Sequence, residues 1–145
     1  MTNAVSTGTR AEVAGRLSLA LGALNRRIRS SNVGMSVGLV SALATVADAD
    51  GLRPSDLARI EGIAAPSATR MVAELENRGL VVRETDPQDG RAVLVRATAA
   101  GARALRDARR ERAERLVELI GADDAVDLAR LRDAVDVLEG LLSRG

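Results

Sequence analysis

The stretch that most constrains the fold runs from Gly51 to Ala97, where the pattern predicts a helix, a tight turn, a second helix and a two-stranded hairpin. Residues 53–56 (RPSD) are typical of a helix start, because proline fits the first helical position and has no N–H to satisfy. The turn at residues 61–63 contains Gly62, which can adopt the left-handed conformation that such a turn requires. Pro66 then opens the second helix and Gly79 closes it.

The second helix has one apolar face and one polar face. On a helical wheel, Ala68, Val72 and Leu75 cluster on the apolar side. The opposite side consists of Pro66, Arg70, Ala73 and Asn77, with Ser67 and Glu74 towards its edge. The candidate contacts of the first two turns, Pro66, Ser67, Thr69 and Arg70, are here called the reading face. Small residues allow a helix to enter a major groove, and the free N–H groups of a helix start favour a phosphate. We therefore expect the reading face to contact double-stranded DNA, with Arg70 at a guanine edge or a phosphate.

Other interpretations of the reading face remain open. Ser67 can satisfy the free N–H groups at the start of its own helix instead of touching DNA. Thr69 lies towards the flank of the helix, which favours a phosphate over a base. Arg70 has Glu74 four residues later, so it can equally form a surface ion pair, and such pairs contribute less than about 1 kcal/mol.

The hairpin is the second candidate contact. Residues 80–84 and 92–96 read as strands, and residues 85–91 read as a turn-rich tip. Asp89 precedes Arg91 by two residues, which predicts a charge-assisted pair that orients the guanidinium towards a minor groove. The alternative is a salt bridge from Arg91 to Asp86 or Asp89 that never touches DNA. Arg83 and Arg96 flank the hairpin and are secondary phosphate candidates.

These motifs resemble those of the MarR family of winged helix-turn-helix regulators. The wing signature DPxDxR is present as Asp86, Pro87, Asp89 and Arg91, and the S-x-T-R opening of the recognition helix is present as Ser67, Thr69 and Arg70. The resemblance covers roughly residues 17–142. It implies a mainly α fold with a small β-hairpin wing, a DNA-binding domain joined to a helical dimerisation region, and a homodimer. It also implies a repressor of a palindromic operator, released by a small anionic or aromatic effector.

The rest of the chain supplies the helices that such a dimer needs. We expect a winged domain at residues 34–97, a long linking helix at 98–120, and a dimerisation region formed by 11–30 and 116–143. A loop at 30–34 precedes a helix that Ser36 caps, and a turn at 121–124 precedes the last helix, 125–142. Residues 1–10 are small and polar, as in a terminus that frays.

Composition limits the chemistry that the chain can perform. All 21 basic side chains are arginines, a pattern that bidentate DNA contacts and a GC-rich genome explain equally well. The net charge of +1 means that DNA binding must rest on local clusters of arginine. The chain contains no cysteine and no histidine, which excludes a thiol switch and the commonest metal ligand and general base. We expect no cofactor and no metal, and no apolar run is long enough for a membrane span, so the cytoplasm is expected.

Three classes of function compete for this sequence. A ligand-responsive transcriptional regulator explains the reading face and the wing together. A helical protein-interaction module that keeps the fold without specific DNA binding is the alternative, although the intact set of Ser67, Arg70, Asp89 and Arg91 argues against it. An enzyme is not expected, because acid–base chemistry would fall to carboxylates alone and none form a paired motif within apolar sequence.

Overall fold

A computed structural model describes residues 8–28, 34–121 and 125–143. The described residues form six helices and one two-stranded antiparallel sheet, so the predicted mainly α fold with a small β-hairpin wing is confirmed. The helices are α1 (Arg10–Arg27), α2 (Val37–Asp48), α3 (Pro54–Glu61), α4 (Ala65–Asn77), α5 (Ala99–Gly121) and α6 (Leu128–Leu142). The strands are β1 (Val81–Asp86) and β2 (Asp89–Ala97).

The core lies among α2, α3, α4 and the hairpin, with a contribution from the start of α5. As predicted, Ser36 caps α2, and its hydroxyl accepts the Leu39 N–H at 3.2 Å. Gly62 ends α3 with a φ of 64°, the left-handed conformation predicted for the turn. The predicted apolar face of α4 is also confirmed, since its three residues are fully buried. Aliphatic side chains and alanine therefore build this core without aromatic residues: Leu39, Ala42, Leu43, Val46, Leu52, Leu57, Ala58, Ala68, Val72, Leu75, Val81, Val95 and Leu105.

The hairpin differs from the prediction at its tip. The strands pair as far as Asp86 and Asp89, which leaves a two-residue connection instead of the predicted tip at residues 85–91. A register shift lies between Thr85 and Asp86. Leu52 forms an isolated antiparallel bridge to Val95, with N···O distances of 3.0 and 2.8 Å, so the residue two positions before α3 pairs with the wing.

α5 begins in close contact with the residues that connect α4 to β1. The Thr98 N–H donates to the Leu80 carbonyl at 3.0 Å, and the Thr98 hydroxyl donates to the Gly79 carbonyl at 2.7 Å. Gly101 lies so close that a Cβ added there would be 2.0 Å from the Leu80 oxygen. The α4–β1 junction is therefore held directly against the first turn of α5.

The chain divides into two units, residues 1–112 and 113–145, at a point within α5. The first unit contains the core just described and α1, which runs over nearly the predicted span. The second contains the end of α5 and α6, which begins at Leu128 instead of at 125, because Asp127 caps it through the N–H groups of Ala129 and Arg130. The expectations for residues 1–7, the loop at 30–33 and the turn at 122–124 lie outside the described residues.

α1 and α6 have apolar residues that nothing within the described residues buries. Neither helix contains a buried residue. On α1, Leu19 and Leu21 are 77% and 44% exposed, and on α6, Leu128 and Val135 are 61% and 44% exposed. The assignment of these helices to a dimerisation region stays a prediction.

Candidate nucleic-acid interface

The start of α4 is less open to a phosphate than the sequence predicted. The helix begins at Ala65, and no side chain caps it, so the capping alternative for Ser67 is wrong. Pro66 has no N–H, and the N–H groups of Ser67 and Ala68 both donate to the Ala64 carbonyl, at 2.9 and 3.2 Å. Few donors remain for an anion at this terminus, so the side chains of the reading face carry most of any contact.

The reading face is accessible along the first two turns of α4. Pro66, Thr69 and Arg70 are exposed, and Ser67 is half-buried. The Thr69 hydroxyl donates to the Ala65 carbonyl at 3.0 Å, which leaves its oxygen lone pairs as acceptors. The Arg70 guanidinium lies over the Ser67 hydroxyl, with 3.4 Å between Nη2 and Oγ.

Arg70 does not form the ion pair with Glu74 that the sequence allowed. The Glu74 carboxylate instead accepts from Arg78, with 2.6 Å between Oε1 and Nη2. Among the residues that the structure describes, no carboxylate lies within 4 Å of the Arg70 guanidinium. The positive charge on the reading face is therefore not neutralised locally.

The acidic residues of the wing pair with Arg53, for which the sequence predicted no role in the site. Arg53, immediately before α3, donates from Nη2 to the Asp86 carboxylate at 2.8 Å and lies 3.7 Å from that of Asp89. Asp86 is 7% exposed and also accepts the Gln88 N–H at 2.9 Å. The hydrogen bond from Arg53, followed by that from Gln88, holds the pKa of Asp86 below its usual range, and the same pair raises the pKa of Arg53.

The predicted charge pair between Asp89 and Arg91 is therefore wrong. Asp89 accepts the backbone N–H of Arg91 at 3.2 Å, while the nearest guanidinium to its carboxylate is that of Arg53. The Arg91 side chain is exposed, and within the described part of the chain no carboxylate reaches it. The alternative in which Arg91 is held in a wing salt bridge is also wrong, and its guanidinium is available to a ligand.

The two secondary candidates, Arg83 and Arg96, are both committed to carboxylates. Arg83 Nε lies 3.2 Å from Glu76 of α4. Arg96 lies 3.0 Å from Glu84 and 2.8 Å from Asp50, and its Nη1 also donates to the Asp50 carbonyl. These pairs tie the hairpin to its neighbours, so we rank both arginines below Arg70 and Arg91 as DNA contacts.

The described residues contain neither a candidate metal site nor a candidate membrane span. They contain no group of three or more acidic side chains, histidines or cysteines placed to hold a metal ion. No helix in the described ranges combines the length and the apolar character that crossing a bilayer requires.

A helix-turn-helix followed by a two-stranded antiparallel hairpin has the arrangement of the winged helix-turn-helix class, and here the second helix presents small side chains and Arg70 in its first two turns. The MarR family model matches residues 35–93. An HTH-type transcriptional regulator of Mycobacterium leprae is 40% identical over 134 residues, which span 91% of this chain and 94% of that protein. One from Mycobacterium tuberculosis is 38% identical with the same coverage. The chain therefore belongs to the MarR family of DNA-binding transcriptional regulators.

Solved structures agree with this assignment. The apo form of MarR from E. coli superposes with a TM-score of 0.70 at 25% identity, over 90% of this chain and 94% of that one. The PcaV regulator from Streptomyces coelicolor, solved with its natural ligand, has a TM-score of 0.58 at 23% identity and covers 97% of this chain and 98% of its own. At this level of identity, the PcaV match concerns the fold.

Proposed function

We propose that the chain acts as a homodimer that binds a palindromic operator and represses transcription. In this proposal α4 enters the major groove with Ser67, Thr69 and Arg70, Pro66 contacts a sugar or a thymine methyl, and the wing places Arg91 in the minor groove. The observation that carries it is the charge distribution in residues 34–97. Arg70 and Arg91 have no carboxylate partner among the described residues, whereas the other arginines of this stretch each have at least one: Arg53, Arg59, Arg78, Arg83 and Arg96.

The contrast has a direct electrostatic consequence. A guanidinium already paired with a carboxylate gains little from a phosphate, because the carboxylate repels that phosphate and must be displaced. An unpaired guanidinium releases counterions from DNA and gives binding its salt dependence. With a net charge of only +1, attraction to DNA depends on such local sites, and these two arginines supply it on the two elements that define the fold.

The contacts are tested by fluorescence anisotropy with a labelled duplex from the upstream region of the gene, a scrambled duplex and a salt series. Wild type should prefer the native duplex. Arg70→Ala and Arg91→Ala should each weaken binding, and loss of a phosphate contact should lower the salt slope by about one. Arg130→Ala in α6 is the matched control, because Arg130 is 80% exposed and already pairs with Asp127. Equal losses in the control and the two test variants would refute the assigned contacts.

The dimer is supported by the uncovered apolar residues of α1 and α6. Side chains such as Leu21 and Leu128 would remain in water in a monomer, and full burial of such a side chain stabilises a structure by roughly 1.5–3 kcal/mol. A twofold dimer would also present two copies of α4 about one DNA turn apart, which suits a palindrome. We propose that a second copy of the chain covers these helices.

Sedimentation velocity with two valine substitutions in α6 tests the dimer. Val135 lies on the stripe formed by Leu128, Leu131 and Leu138, whereas Val137 lies on the opposite side of the helix. Val135→Asp should shift the protein towards monomer at micromolar concentration, and Val137→Asp should leave the dimer intact. A wild-type protein that sediments as a monomer at micromolar concentration would contradict the proposal.

We further propose that a small anionic or aromatic effector releases the DNA. The support is the family assignment and the neighbour solved with its natural ligand. A population shift of this kind requires that the effector bind the DNA-free form more tightly than the DNA-bound form. Titration of the protein–duplex complex with a panel of aromatic carboxylates, benzoate among them, should lower anisotropy at constant ionic strength, with equal concentrations of acetate as the control.

A further inference from the structure

The segment that precedes α3 is attached to the wing at three points. Leu52 pairs with Val95 through two backbone hydrogen bonds. Towards the base of the hairpin, Arg96 binds both the carbonyl and the carboxylate of Asp50. Towards the tip, Arg53 reaches Asp86 and Asp89. The first helix of the helix-turn-helix is thus joined to both ends of the hairpin, and Arg53 is the only one of these attachments that reaches the tip among the described residues.

Arg53 also offsets the negative charge of the two acidic residues at the hairpin tip. Its Nη2 lies 2.8 Å from Asp86 and 3.7 Å from Asp89, so one guanidinium offsets two carboxylates. Asp86 is largely buried, and without Arg53 its charge would be poorly solvated. Asp89 is exposed and already accepts the backbone N–H of Arg91, so it is the acidic group best placed to capture the Arg91 side chain if Arg53 is removed.

We propose that Arg53 is a positioning residue for DNA binding: by holding Asp86 and Asp89, it fixes the wing tip on α3 and leaves the Arg91 guanidinium unpaired. This inference rests on the proposed function of Arg91. Arg53 acts through the wing, and the effect of removing it depends on whether Arg91 is present.

A double-mutant cycle on DNA affinity tests this dependence. Arg53→Ala should weaken binding to the native duplex about tenfold when Arg91 is present, and less than about twofold in the Arg91→Ala background. Arg53→Lys, which keeps the charge, should restore part of the loss. Arg59→Ala is the matched control, because Arg59 lies in the same helix, is 73% exposed and pairs only with Asp56 among the described residues. Equal losses from Arg53→Ala in both backgrounds would mean that Arg53 touches DNA itself, and would overturn the proposal.

A measurement without DNA separates this inference from the proposed function. In ¹⁵N–¹H correlation spectra, Arg53→Ala should shift the amide signals of Gln88 and Arg91, whose N–H groups donate to Asp86 and Asp89, and leave those of α4 in place. Unchanged tip amides would overturn the inference whatever the DNA result. A wild-type protein with no preference for the native duplex would instead refute the proposed function, and the amide shifts would still report whether Arg53 holds the tip.

Discussion

Gly101 is the position where a single added methyl group should do most damage to the placement of α4. Its Cβ would lie 2.0 Å from the Leu80 carbonyl oxygen and 3.0 Å from the carbonyl carbon. A non-bonded contact needs roughly 3.5 Å, so the junction would have to open by about 1.5 Å. The obstacle is backbone, which cannot rotate away as a side chain can. The Leu80 N–H donates to the Leu75 carbonyl of α4 at 2.9 Å, so the displacement reaches the recognition helix.

The same contacts set how much free energy of unfolding Gly101→Ala should lose. Overpacking of this kind costs about 1–3 kcal/mol. The hydrogen bonds from Thr98 to Leu80 and to Gly79 would lengthen, at about 1 kcal/mol each. Replacing a helical glycine with alanine returns about 0.5–1 kcal/mol. We therefore expect Gly101→Ala to lower the free energy of unfolding by about 3 kcal/mol.

Urea unfolding followed by far-ultraviolet circular dichroism measures this loss, since the chain has no aromatic residue for fluorescence. Gly38→Ala is the matched control: it also lies in the first turn of a helix, and its nearest neighbour at 3.3 Å is the flexible end of Met71. The control should stay within about 1 kcal/mol of wild type. All variants are compared at one protein concentration, because the proposed dimerisation would make stability depend on concentration. A Gly101→Ala protein as stable as wild type would refute the reasoning.

Three further predictions concern stability. Ser36→Ala removes the acceptor for the Leu39 N–H and should cost about 1 kcal/mol in urea unfolding, whereas Ser36→Asn should restore most of it. Leu75→Ala opens a cavity at a fully buried position and should lower the free energy of unfolding by about 2–5 kcal/mol in the same assay. A loss below about 1 kcal/mol would contradict the assigned core. The pKa of Asp86 is lower in the folded state than its ordinary value of 3.8. The ionised carboxylate therefore adds to the free energy of unfolding above that value, and this contribution is lost as the pH falls through the lower pKa of the folded state. The difference in unfolding free energy between wild type and Asp86→Asn should therefore shrink below pH 4, and a constant difference would argue against the Arg53 pair.

Periodicity predicted the parts of the fold that depend on neighbours along the chain. The buried face of α4, the left-handed Gly62 and the Ser36 cap each follow from residues within one or two helical turns, and all three are confirmed. The tip of the hairpin was predicted too long. Turn-forming residues can still form backbone hydrogen bonds when a partner strand lies opposite them. β1 and β2 therefore stay paired as far as Asp86 and Asp89.

The prediction that Asp89 pairs with the Arg91 side chain is wrong for a reason that the sequence alone does not reveal. Arg91 is two residues from Asp89 and was the obvious partner, yet Arg53 lies 33 residues before Asp86 and reaches both carboxylates once Leu52 pairs with Val95. Competition between partners distant in sequence is decided by the tertiary structure. Arg53 occupies the N-cap position of α3, where Ser, Thr, Asp or Asn is usual, and its side chain forms no cap there.

The central claim is that α4 reads the major groove and Arg91 the minor groove of one duplex. Chemical footprinting on the upstream duplex tests it directly, since dimethyl sulfate methylates guanine N7 in the major groove and hydroxyl radicals attack sugars from the minor groove. Wild type should protect two half-sites from dimethyl sulfate and the flanking minor grooves from hydroxyl radicals. Arg91→Ala, at a concentration that restores occupancy, should lose only the flanking hydroxyl-radical protection. An unchanged footprint would contradict the role of Arg91, and the absence of any footprint on a duplex that the protein binds would contradict specific recognition.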